Sequence, residues 1–411
     1  MPRSPLLTEP RWLALWAAMA GYMLDAMDVL LYVFAIQTLR TEFGMSNAVA
    51  GLASSATLVF SACGGVLAGI LSDRVGRRKT LIWTILTYSL ASAGTATAHS
   101  IGELMFWRAL VGLGLGGEWS AGATLVAEWW PAKNRGKAMG LMQSGWAIGY
   151  VLAAAAAAII LPRWGWRALF LVGVLPALLT AWIQRYVQEP PAWIESAGPA
   201  RWTFLFRPPL ARITLLTTSL STAVLFGYWG VFTWLPGFLS APVASGGAGL
   251  DIVHTSTWII VMQIGTFCGY LVFGWLADRL GRRPAFAIYV VAAALLTPFY
   301  GSVPRWAGNS SGMWLLIIGP FIGFFGTGYF SLFGAMLAEL YPTPIRGAGQ
   351  GFAYNFGRGL SALAPFAVGA IADRSGLGLA LGLNSAFFLT GAVLVYLLPE
   401  TKNAELAASL S

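Results

Sequence analysis

With 411 residues, of which 57% are apolar and only 10% charged, the chain cannot be a water-facing globule; a soluble domain carries about a quarter charged residues. The net charge of +9 does not mark a nucleic-acid binder, because Lys and Arg recur in short clusters between apolar stretches rather than on one patch. Two Cys and two His exclude a disulfide framework and a Cys- or His-based metal centre, and no metal or cofactor is expected.

At roughly 20 apolar residues per membrane span, the sequence predicts twelve helices: 11–37, 47–71, 79–98, 101–127, 136–161, 166–187, 211–239, 254–277, 284–303, 311–338, 347–372 and 376–398. The first apolar run lacks a small-residue cleavage site and is too long for a signal-peptide core, so it is expected to stay as the first helix. Between the sixth and seventh helices, Pro190, Pro191, Trp193, Pro199, Arg201, Arg207 and Pro208 break helical periodicity. The expected fold is an all-α membrane protein of twelve transmembrane helices: an N-terminal half 1–187, a cytosolic linker 188–210 and a C-terminal half 211–411.

Orientation follows from the basic residues. With the N-terminus in the cytosol, eighteen of the 25 Lys and Arg fall on the cytosolic side, from Arg3 and Arg11 to Arg346 and Lys402. Five fall outside (Arg40, Arg163, Arg167, Arg305 and Arg374), and Arg108 and Arg358 lie inside spans. That bias predicts a multi-pass membrane protein with both termini cytosolic, the membrane being expected to be the inner membrane of a bacterium.

The halves repeat each other. Gly69-Ile-Leu-Ser-Asp73-Arg74-Val-Gly76-Arg77-Arg78 returns 205 residues later as Gly274-Trp-Leu-Ala-Asp278-Arg279-Leu-Gly281-Arg282-Arg283. Glu128 with Arg135 returns as Glu339 with Arg346 at an offset of 211, and Cys63 matches Cys268 at 205. Two parallel six-helix halves characterise secondary transporters whose binding site lies at the repeat interface.

The two G-x3-D-R-x-G-R-R loops resemble those of the major facilitator superfamily. Arg108-x3-Gly112-x-Gly114-x-Gly116-Gly117-Glu118, Glu128-x6-Arg135-Gly136, Glu189-Pro190-Pro191-x-Trp193 and Pro399-Glu400-Thr401-Lys402 are similar to its sugar-porter-related branch. Within that branch, Asp25-Ala-Met-Asp28, Gly117-Glu118-Trp119, Trp130-Pro131, Trp164-Gly165-Trp166-Arg167-Ala168-Leu169-Phe170 and Tyr354-Asn355-Phe356-Gly357-Arg358-Gly359 resemble the sialate:proton symporter family. That family includes permeases for sialic acid and for lactate or pyruvate. Aromatic-acid:proton symporters share the D-x-x-D of helix 1.

Charges at bilayer depth are functional candidates by default, and here they are Asp25, Asp28, Arg108, Glu118 and Arg358. At 1.5 Å per residue, Asp28 and Arg108 lie roughly 25 Å and 30 Å from the cytosolic ends of their helices, so a pair between helices 1 and 4 is feasible. The resemblance implies that this pair couples proton uptake to conformational change, with a static structural pair as the alternative. Asp25 and Glu118 are the next candidate proton carriers. Arg358, roughly 18 Å into helix 11, offers a planar fork matched to a carboxylate, or else a purely structural guanidinium with Asn355 as its partner. By resemblance, Gln143 is a substrate hydrogen-bonding candidate, with helix packing as the alternative. Tyr32 and Tyr329 are further substrate-side candidates, again with packing as the alternative. The four glycines of helix 4 allow close helix approach; they follow no strand and do not make a nucleotide loop.

Asp73, Arg74, Arg77, Asp278, Arg279 and Arg282 are expected in conformational switching rather than in binding. Glu128 with Arg135, and Glu339 with Arg346, are expected to bridge helix ends within each half. The function expected is proton-coupled uptake of a small organic anion, a lactate- or pyruvate-like monocarboxylate or sialic acid, by a monomer that is not an enzyme. The partners are then the anion, a proton and the bilayer, and no nucleic acid. An aromatic-acid or other metabolite symporter and a neutral-solute or sugar porter remain open. Helix 5, Gly140-Leu-Met-Gln-Ser-Gly145-Trp-Ala-Ile-Gly149, lacks the Pro of drug exporters.

Overall fold

Four glycines set the rhythm of the chain. Gly76 (φ 108°) and Gly281 (φ 112°) turn one helix into the next, as do Gly165 (φ 74°) and Gly376 (φ 82°). Only a residue without Cβ enters these backbone regions freely, and each pair stands at repeat-related positions. The computed structural model describes residues 9–45, 47–195, 201–243, 247–250 and 252–406.

Among the described residues, the helices group into twelve spans in two pseudo-repeats of six. In the first half, α1 is Pro10–Phe43, α2 Asn47–Val75, α3 Arg77–Thr95 and α4 Ile101–Trp129. The run Arg135–Val172 bends at Gly165, giving α5 (135–164) and α6 (166–186). In the second half, α7 (210–240) pauses before Leu235–Ser240, α8 is Ile252–Leu280 and α9 Arg282–Ala307. The last three are α10 (311–340), α11 (346–375) and α12 (377–397). A 3-10 turn at Gly328–Phe330 interrupts α10, and short breaks at 362–363 and 385 interrupt α11 and α12.

The predicted number and order of helices stand, and the differences at the basic loops have one cause. Observed helices run further toward the basic loops: α2 reaches Val75 and α8 reaches Leu280, past predicted ends at 71 and 277. Apolar periodicity stops at the first charge, whereas the backbone stays helical to the left-handed glycine. Seven described stretches are apolar enough on their own to cross a membrane. Helices α3, α4 and α11 and most of α5 are not among them; the first three carry polar groups into the bundle: Thr80, Thr84 and Ser92, then Arg108 and Glu118, then Gln350, Asn355 and Arg358. Of the expected linker, residues 196–200 with Pro199 lie outside the described residues, as does Arg3; Pro191–Ile194 forms one turn and Trp202–Phe206 a 3-10 segment.

Lipid supplies no hydrophobic drive between helices, so close backbone approach must do the packing. Helix α2 lies directly against α4: a Cβ at Gly116 would run into the carbonyl oxygen of Ser61, and one at Gly64 into that of Leu113. The two halves meet the same way. Gly69 of α2 faces the carbonyl of Gly347 and the Cα of Gly351 on α11, while Gly140 of α5 faces the carbonyl of Tyr270 on α8.

Gly116→Ala is expected to cost about 1–3 kcal/mol through overpacking, seen as an earlier midpoint of thermal unfolding in detergent. Gly102→Ala, where a Cβ meets only Ser100 Oγ at 4.0 Å, should leave the midpoint unchanged.

Candidate functional site

At the end of the bundle that carries both basic loops, two repeat-related clusters join the halves. Arg77, at the start of α3, donates through Nε to Glu128 Oε2 and through Nη2 to Glu128 Oε1, both at 2.9 Å. The same Glu128 accepts from Arg346 Nη1 of the other half at 2.6 Å. In the second cluster, Arg282 Nη2 and Arg135 Nη1 each reach Glu339 Oε1 at 2.8 Å. Each glutamate thus holds two guanidinium groups, one from each half. The expected pairing within halves is corrected: Arg135 reaches Glu339 and Arg346 reaches Glu128, because Arg77 and Arg282 already fill the near side.

The aspartates of the loops complete the joint. Asp73 pairs with Arg77 at 3.1 Å and accepts from the Gly347 and Ala348 amides at the start of α11, at 3.0 and 2.8 Å. Asp278 pairs with Arg282 at 2.8 Å and accepts from the Gly136 and Lys137 amides at the start of α5, at 3.0 and 2.9 Å. A carboxylate at a helix N-terminus meets both free amides and the positive end of the helix dipole. Arg74 and Arg279 stay outside the clusters, exposed at the surface, with Arg279 over the Trp275 ring. Two further glutamates belong here that the sequence-based reading left without a role. Glu189 accepts from the amides of Arg77 and Arg78, and Glu400 from those of Arg282 and Arg283. Their separation of 211 residues, shared with Glu128 and Glu339, was the available signal.

A second group lies at the middle of the bundle, between the halves. Arg358 of α11 donates through Nη1 to Ser61 Oγ of α2 at 2.8 Å and sits 5.0 Å over the Tyr354 ring. Tyr354 stacks on Trp119 of α4, with ring centroids 3.9 Å apart and planes 22° from parallel. Trp119 Nε1 donates to Gln143 Oε1 at 3.2 Å, and Gln143 Nε2 donates to the carbonyl of Phe330 on α10 at 3.1 Å. Asn355 turns instead to Ser120 Oγ at 2.9 Å and to the Gly351 carbonyl. Asp25 lies within electrostatic reach of Arg358 and Asp28, and Glu118 within reach of Asp25 and Arg358. Both Glu118 oxygens are buried without a hydrogen-bond partner. Gly21 of α1 makes room for them, since a Cβ there would lie 2.5 Å from Glu118 Oε1.

The third group is internal to the first half. Arg108 Nη1 stands 3.9 Å from Asp28 Oδ2, while Asp28 Oδ1 accepts a short hydrogen bond from Ser92 Oγ of α3. Tyr32 places its ring 5.0 Å beneath the Arg108 guanidinium. Arg108 Nε and Nη1 and Asp28 Oδ2 make no hydrogen bond. This is a long ion pair rather than a bidentate one, and a pair so placed separates at less cost. Near the opposite end of the bundle, Trp166 Nε1 and Arg167 Nη1 donate to Glu42 and hold its carboxyl below the usual range.

The predicted residues therefore separate into sites. Asp25, Glu118 and Arg358 come together with Tyr354, and Gln143 joins them through Trp119. Asp28, Arg108 and Tyr32 form their own group. Tyr329 joins neither: its hydroxyl donates to the Val224 carbonyl at 3.3 Å among Phe286, Phe330 and Phe388, inside the second half. Tyr354, one helical turn before Arg358, and Trp119, next to Glu118, were missed as site residues. An aromatic at i−4 to a buried Arg was the signal for Tyr354.

A profile of the Major Facilitator Superfamily matches residues 18–243 and 246–410. A probable 4-methylmuconolactone transporter of Cupriavidus pinatubonensis is 34% identical over 399 residues, covering 94% of this chain and 90% of that protein. The sialic acid transporter NanX of Escherichia coli is 29% identical over 386 residues, covering 93% and 92%. Among solved structures, the proton:xylose symporter XylE bound to 6-bromo-6-deoxy-D-glucose superposes with a TM-score of 0.79 at 18% identity. That match covers 97% of this chain and 98% of the other.

Removing one partner of a buried charge cluster costs about 3–5 kcal/mol. Glu128→Gln, which leaves Arg77 and Arg346 without their shared anion, is expected to loosen the joint between the halves. A single cysteine at Ser72, buried on α2 against Gly347 of the other half, in a Cys-free background should then react several-fold faster with a membrane-impermeant maleimide from the basic end. An unchanged rate would mean that the cluster does not hold the halves together.

Proposed function

This chain belongs to the major facilitator superfamily, and we propose that within it the protein is a proton-coupled importer of a small organic acid. The observation that carries the reading is Arg358: a guanidinium buried between the halves at bilayer depth, seated on an aromatic ring. A cation in that position can receive the carboxylate of a cargo in competition with Asp25 and Glu118, a contact that a neutral sugar would not make. Arg358 also presents a planar fork beside the flat Trp119–Tyr354 stack, a combination suited to a carboxylate borne on a ring. The named cargoes of the two relatives, 4-methylmuconolactone and sialic acid, are both ring-bearing acids. Both are larger than lactate or pyruvate, which favours an aromatic, cyclic or otherwise larger acid over the lactate- or pyruvate-sized cargo weighed from the sequence.

In our reading, which the positive-inside bias supports for orientation, the basic end and both termini face the cytosol across a bacterial inner membrane. The conformation described is then the one sealed toward the cytosol. In our reading the acid enters from outside, its carboxylate settles on Arg358, and Gln143 supplies a polar contact beside it. A proton taken by Asp28 weakens its attraction to Arg108, freeing α1 to move relative to α4. The halves then rock about the central site, and the two glutamate-centred clusters at the cytosolic end open. The monomer contains all of these parts, and no cofactor enters the cycle.

The test is proton flux in liposomes of the purified protein, followed with a pH dye while benzoate, sialic acid or lactate is added outside. Alkalinisation of the outer medium with at least one acid is expected. Asp28→Asn should abolish accumulation while sparing exchange of acid for acid, and Arg358→Gln should raise KM at least tenfold. Silence with every acid from folded protein would sink the reading.

A further inference from the structure

The central group contains two carboxyls and one guanidinium, and that imbalance has a consequence for the cycle proposed above, on which this inference rests. We infer that the Asp25–Glu118 pair is a second proton site, loaded when the cargo anion arrives, so that a monoanion crosses with two protons and one net positive charge.

The argument is charge balance in a dry place. Glu118 is fully buried on α4, and both of its oxygens lack a hydrogen-bond partner. The charged and titratable groups facing it are Asp25 from α1, Tyr88 from α3 and Arg358 from α11. Tyr22 and Tyr354 close in around Asp25 and Arg358. The Tyr88 hydroxyl is likewise buried without a partner. Buried charge is tolerated when it is balanced nearby. With the site empty, Arg358 is balanced by one ionised carboxylate of the pair, and the other carries a proton. When the cargo carboxylate takes its place on Arg358, the ionised acid has lost its counter-ion. It becomes neutral by bonding a proton from the outer water, and gives that proton back on the inner side when the anion leaves.

Asp28 cannot serve this purpose. It already faces its own cation, Arg108, and hydrogen-bonds Ser92 within the first half. Its proton accompanies the movement of α1, whereas the pair's proton accompanies the anion. Two carboxyl sites with two different cations therefore take two protons.

The experiment uses wild-type protein in liposomes without a pH gradient, with benzoate or N-acetylneuraminate as the monoanionic probe and valinomycin setting a potassium potential. For one net positive charge, accumulation should rise about tenfold for each ~59 mV of inside-negative potential. Accumulation that answers to a pH gradient but ignores the potential would mean one proton per anion and overturn the inference. Absence of uptake under any gradient would instead sink the transport reading itself. In the double variant Asp25→Asn/Glu118→Gln, accumulation should follow the pH gradient and lose its dependence on potential. Retained dependence in that variant would also overturn the inference, and the wild-type slope decides by itself if the variant fails to fold.

Discussion

Every charge carried into the depth of this bundle has to be matched by another, and that constraint organises the molecule from one end to the other. In hydrocarbon no water is at hand to screen a guanidinium or a carboxylate. Accordingly the charges come in groups rather than singly: Glu128 between Arg77 and Arg346, Glu339 between Arg282 and Arg135, Asp28 against Arg108, and Arg358 near Asp25 and Glu118. The first two groups span the halves, the third lies within one, and the fourth sits between them. The position of each group fixes what can happen to it when the halves move relative to each other.

Crossing matters most at the basic end. Had Glu128 bonded Arg135, and Glu339 bonded Arg346, the clusters would have survived a rigid rocking motion unchanged and exerted no bias on it. Because each glutamate takes one guanidinium from the other half, opening that end separates buried ion pairs and moves them into water. Water then solvates the released groups, so the difference between closed and open states is much smaller than the cost of deleting a partner. The amide contacts of Asp73 with α11 and of Asp278 with α5 act in parallel, and they require the small Gly347 and Gly136 at the helix starts. Binding energy of the order that a cargo supplies can shift such an equilibrium.

The fold was almost wholly legible in the sequence, since bilayer thickness sets helix length and the G-x3-D-R-x-G-R-R repeat marks the two halves. Gly76 and Gly281 could be seen as the turn glycines of those loops, and Gly165 with Gly376 repeats the device at the other end. Partner choice was not legible. Nothing in the spacing of Glu128 and Arg135 says that Arg77, fifty-one residues away, reaches Glu128 first and leaves Arg135 to the other half. The same holds for the middle of the bundle. Tyr329 was reasonable by helix position, yet it sits in the 3-10 turn at Gly328–Phe330 and its hydroxyl donates to the Val224 carbonyl within the second half. Trp119 entered the sequence analysis only through the motif Gly117-Glu118-Trp119, and three-dimensional proximity joins it to Tyr354 and Gln143.

The superposition on a xylose symporter shows a shared frame and says nothing of this chain's cargo. At 18% identity the frame is shared over nearly the whole chain, and what a frame of this kind carries is set by side chains where the halves meet. Here those side chains are one guanidinium, two carboxyls and a flat aromatic pair. A neutral solute would leave the charges as it found them. An anion cannot, because its carboxylate and those of Asp25 and Glu118 compete for the same cation. On the proposed reading, selectivity for acids and the loading of the Asp25–Glu118 proton are two aspects of a single electrostatic competition at Arg358, while the Asp28–Arg108 pair ties the other proton to helix movement.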